Sequence, residues 1–172
     1  MIYILGVAHF KVQFPHKDND LVEVDKYLSY LKKIIQEKKI QLVAEEISED
    51  ALCHWEINNT HARKIISTFR IEYLLCDPGF DERNKLGLQQ REDIARNLGF
   101  SFPLTTEQEI EINKIAKESD IKREKFWLNK IKEKGDKTTL LICGYGHVDS
   151  IAELALKENV TAIKTTKQFG YR

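Results

Sequence analysis

Cysteine, proline and net charge are all scarce in this chain, and each scarcity removes a class of protein. Three cysteines in 172 residues are odd in number, and none forms a Cys-x-x-Cys pair. That leaves neither a disulfide scaffold nor a zinc ribbon. Three prolines and eight glycines make no linker or low-complexity segment. Lys plus Arg equals Asp plus Glu at 27 each, so no overall field draws the chain to nucleic acid or an anionic membrane. Basic clusters such as Lys32-Lys33 and Lys122–Lys125 are interleaved with glutamate, the pattern of a solvated helix face. No apolar run approaches the roughly 20 residues that a membrane-spanning helix needs. The opening Met-Ile-Tyr-Ile-Leu has no basic flank and no small-residue cleavage site. Cys76 and Cys143 end apolar runs as buried thiols do, so the expected location is the cytoplasm. A P-loop, a nucleophile-elbow serine and a dinucleotide glycine pattern are also missing.

What is present is an ordinary core-forming composition, 42% hydrophobic and 31% charged, which fits a single domain over residues 1–172. Apolar runs at Ile2–Ala8, Ile40–Ala44, Ile71–Cys76, Thr139–Cys143 and Val160–Lys164 read as strands. Between them Leu21, Val24, Leu28, Leu31 and Ile35 recur at helical spacing, predicting a helix over about 21–38. A helix capped by Asn59 or Thr60 covers Arg63–Phe69. Asp81–Phe100 reads as mostly helical with an interruption near Gly87. Thr106-x-x-Glu109 reads as a capping box for a further stretch reaching Lys134, with a break near Ser119-Asp120. Val148–Lys157 is the last helix. Strands alternating with helices imply an α/β fold with a mainly parallel central sheet of about five strands, covered on both faces.

Two copies of Gly-x-x-His end two of these strands: Gly6-Val7-Ala8-His9 and Gly144-Tyr145-Gly146-His147. Strand two ends at Glu45-Glu46 and strand three at Asp77. In a parallel sheet these carboxyl ends share the edge where open α/β sheets bind ligands. Two imidazoles with the carboxylates of Glu45, Glu46 or Asp77 suit a divalent metal (Mn, Co, Zn or Fe) whose open position would hold a water nucleophile. Without metal, the same groups could serve as a general base and its orienter. Each glycine lets the backbone turn sharply or approach a ligand closely. The competing structural readings are an acidic helix start for Glu45-Glu46 and a turn for Asp77-Pro78-Gly79. His16, His54 and His61 match no pattern and are expected at the surface or locally capped.

A further segment, Arg123-Glu124-Lys125-Phe126-Trp127, precedes strand four. With Gly-x-x-His, a Glu after the second strand and the second Gly-x-x-His, it resembles the TraB/GumN/Tiki group. That group belongs to a broader assembly with erythromycin esterase-like and ChaN-like proteins. The resemblance matches His9 and His147 to the family's histidines, Glu46 (or Glu45) to its glutamate and Arg123 to its arginine. Glu124 and Ser150 stand where the TraB pattern often has Asn and Gly, and an Arg-Glu pair is closer to the esterase-like branch.

The resemblance implies a hydrolase acting on an ester, lactone or peptide-type substrate. It implies that His9 and His147 hold a divalent metal or orient water, with Glu46 as a metal ligand or general base. It further implies that Arg123, Glu45 and Tyr145 contact the substrate, Arg123 also stabilising the developing oxyanion. The alternative it implies is a non-catalytic ligand- or haem-binding sensor on the same fold, serving for example in a toxin or defence system. For Arg123 an ion pair with Glu45 or Glu46 is an equal reading.

Overall fold

The computed structural model describes residues 1–15, 20–165 and 169, so His16 lies outside it. Among the described residues, five parallel strands form one sheet in the order β3-β2-β4-β1-β5. These strands are β1 (Ile2–Val7), β2 (Leu42–Glu45), β3 (Glu72–Leu75), β4 (Thr139–Gly144) and β5 (Ala162–Lys164). The expected parallel α/β sheet is therefore observed. β1 and β4 are neighbours in register from Ile2↔Thr139 to Val7↔Gly144, so both Gly-x-x-His motifs emerge side by side.

Alternation along each strand feeds two cores. Leu5, Val7, Val43, Leu140 and Ile142 meet α1 (Leu21–Glu37) and α3 (His61–Ile66) on one face. Ile4, Leu42, Ala44, Leu141 and Cys143 meet α6 (Thr106–Lys132) and α7 (Val148–Lys157) on the other. The helix following β1 and the helix following β4 thus lie on opposite faces. The crevice between these strands is a topological switch point, the place where sheets of this kind take ligands.

Three local expectations change. The capping box of α6 is Thr105 with Gln108, one residue earlier than expected. The helix runs unbroken through Ser119-Asp120 because the buried Ser119 hydroxyl accepts from Gln89 N–H at 3.0 Å, tying down a neighbouring loop. A short helix α2 (Glu49–His54), capped by Ser48, does follow β2, but Glu45 and Glu46 precede it and do not form its acidic start. The interruption at Gly87 is real: α4 (Phe80–Leu86) ends there with φ +62°, and α5 (Arg91–Asn97) follows. The N-terminal half of α6 packs its Ile112 on Ile94 and Ala95 of α5, while its C-terminal half covers the sheet.

Candidate functional site

Chain parity decides which glutamate enters the site. Glu45 follows Val43 on the α1/α3 face, where it is fully buried and accepts from Thr60 Oγ1 at 2.7 Å and from Tyr73 OH. Glu46, one residue on, turns to the α6 side. There its Oε1 accepts from Arg123 at 2.9 Å and its Oε2 from Gly144 N–H at 2.7 Å. His9 Nε2 faces Oε2 at 3.4 Å and His147 Nε2 faces Oε1 at 3.6 Å. The two motif histidines, the glutamate and the arginine therefore meet around one carboxylate.

Each member is held from behind. His9 opens a single π-helical turn, His9–Gln13, which brings the buried Gln13 side-chain oxygen to Nδ1. His147 closes a 3₁₀ turn, Tyr145–His147, and donates from Nδ1 to Glu124 at 2.8 Å. Its ring sits edge-on to Trp127 at 5.0 Å. Arg123 and Trp127, one helical turn apart on α6, both donate to Asp77 Oδ1, at 3.0 and 2.8 Å. Arg83 closes the set by pairing with Asp77 Oδ2.

The electrostatics follow from these contacts. Burial alone would raise the Glu46 pKa, but hydrogen bonding and charge from His9, together with Arg123 and His147, bring it down to about 2. Burial opposes protonation of both histidines, yet the carboxylates win. His9 is raised by Glu46, and His147 by Glu124 and Glu46. Glu45 moves the other way, raised by burial against the hydrogen bonds from Tyr73 and Thr60.

These contacts overturn the expected divalent metal and, with it, the metal-dependent hydrolase. Among the described residues, no group of three or more His, Cys, Asp or Glu can hold a metal ion. The physical reason is visible around Glu46: the two histidines face different oxygens, and the guanidinium of Arg123 already supplies the cation. A metal at the usual ~2.0–2.2 Å from these ligands would have to expel it.

In front of His9 opens a cavity of about 550 Å³. Its floor is His9, Glu46, Asp77, Arg83 and Arg123, and its walls include Phe10, Phe14, Trp55 and Phe80. The rings of Phe10 and Phe14 lie 5.4 and 5.5 Å from Trp55, forming one aromatic wall. Phe10 and Phe80 stay 60% and 50% exposed, an unusual state for such large apolar side chains around one opening. Glu45 and Tyr145 do not line this cavity, and His147 lies behind it. His54, expected as a plain surface residue, is on the cavity rim beside Phe80.

Glu124 and Trp127 stand in the motif around Arg123 but carry no expected role, and Gln13, Arg83 and the aromatic wall are absent from the sequence expectations. The i, i+4 spacing of His9 with Gln13 and of Arg123 with Trp127 was the available signal, since those pairs share a helical face. Nothing in the sequence joined Trp55 to Phe10. No protein-family model matches the chain, and no curated protein or solved structure matches it either.

Proposed function

We propose that this chain is a non-catalytic binding protein that holds a small organic ligand in the cavity before His9. The carrying observation is that the motif residues commit their polar atoms to one another. Glu46, with a pKa of about 2, is too weak a base to take a proton from water near neutral pH. His9 and His147 are each held against a carboxylate, which favours the charged imidazolium over the neutral base. The network is a rigid polar floor, and the half-exposed aromatic wall above it supplies apolar contact area.

The likeness to the TraB/erythromycin-esterase assembly belongs to this proposal and rests on its four motifs. The three free cysteines, two of them buried, favour a reducing compartment such as the cytoplasm. Among the described residues no helix is long and apolar enough to cross a membrane.

The test is a panel of esters, lactones and peptides incubated with wild type and Glu46→Gln, with Trp55 followed by indole NMR. Shifts at the Trp55 indole without turnover are expected. Turnover by wild type that disappears in Glu46→Gln would overturn the binding reading.

A further inference from the structure

Arg83, Arg123 and Gln90 line both the cavity before His9 and a second cavity of about 300 Å³, so the two spaces border the same three side chains. The second is lined by four cationic side chains, Arg83, Arg91, Lys117 and Arg123, against one carboxylate, Asp120. Arg83 and Arg123 are already neutralised by Asp77 and Glu46. Arg91 and Lys117 are not. Arg91 meets only the neutral amide of Asn113, and among the described residues neither cation has a carboxylate in ion-pair reach.

Their placement is built in. Arg91 begins α5 and Lys117 lies on α6, and these helices are held together by Ile94, Ala95 and Ile112. Gln89 N–H, bonded to the buried Ser119 of α6, ties the loop that leads into α5 to α6. A guanidinium fork, an ammonium and the side-chain amides of Gln89, Gln90 and Asn113 on one small cavity match the oxygens of a phosphate.

Resting on the binding reading above, we infer that the ligand is an anionic amphiphile of the aryl phosphate class. Its apolar ring lies against Phe14 and Trp55, and its phosphate sits between Arg91 and Lys117.

The experiment is isothermal titration of the full chain with 1-naphthyl phosphate, 1-naphthol and inorganic phosphate. The whole ester binds about tenfold or more tighter than either half. Arg91→Ala with Lys117→Ala removes that advantage and leaves 1-naphthol affinity unchanged. Trp55→Ala weakens the ester and the naphthol together. Equal affinity for ester and naphthol, or wild-type affinity for the ester in the double variant, overturns the anionic subsite and leaves the cavity reading in place. No binding of any of the three probes to wild type overturns both.

Discussion

Gly144 lies so close to His9 that a Cβ built on it would stand 2.7 Å from Nε2. The relationship is reciprocal between the motifs. A Cβ on Gly6 would stand 2.8 Å from Val148 Cγ2 and 3.3 Å from the Tyr145 backbone, in the segment carrying the second histidine. Each Gly-x-x-His glycine thus makes room for the other motif, which accounts for the pair better than a turn requirement at either strand end.

Gly144→Ala therefore displaces the His9 ring from Glu46. We expect a loss of about 1–3 kcal/mol in urea unfolding, the usual cost of overpacking. Gly146→Ala is the control: nothing lies within 4 Å of its Cβ position, and its stability stays within about 0.5 kcal/mol of wild type.

Stability should peak in mildly acid solution. Glu46, lowered from 4.5 to about 2, contributes stability that is present above pH 4.5 and lost as pH falls toward 2. That shift corresponds to about 3 kcal/mol. His9 and His147 are raised above 6.5, so their contribution is complete below pH 6.5 and lost as pH rises through the folded values. Unfolding free energy measured across pH 2–9 should fall on both sides of this window. Glu46→Gln should flatten the acid limb and weaken the alkaline one; an unchanged profile in that variant would refute the assignment.

Arg123→Met leaves Glu46 and Asp77 short of their shared cation. The expected cost is about 3–5 kcal/mol at neutral pH, shrinking as Glu46 protonates in acid. Arg123→Lys should recover only part of it, because one ammonium cannot reproduce the fork that bridges both carboxylates. Chemical denaturation of the three proteins at pH 7 and pH 4 decides the matter.

The two histidines should respond to different carboxylates. In NMR titrations, Glu124→Gln lowers the His147 pKa and leaves that of His9 in place. Glu45→Gln leaves His147 unmoved, since Glu45 lies on the opposite face of the sheet. A His147 shift in Glu45→Gln would place the wrong glutamate at the site.

Much of this architecture is legible in the chain itself. Strand runs, the helical spacing over Leu21–Ile35 and the Gly-x-x-His ends are local patterns, and local patterns follow from backbone periodicity. Parity along β2 even separates Glu45 from Glu46, though the sequence does not say which helix covers which face. Sheet order, the adjacency of β1 and β4, and the seating of α6 over the strand ends depend on contacts between residues far apart in the chain. Those contacts delivered Arg123 and Asp77 to Glu46, and so converted a set of metal-ligand residue types into a closed ion-pair network. They also gathered Phe10, Phe14 and Trp55 into one wall. Residue types and their spacing were determined by the sequence alone; what each charged group faces was decided by tertiary packing, because a buried charge takes its character from the partner that packing brings within reach.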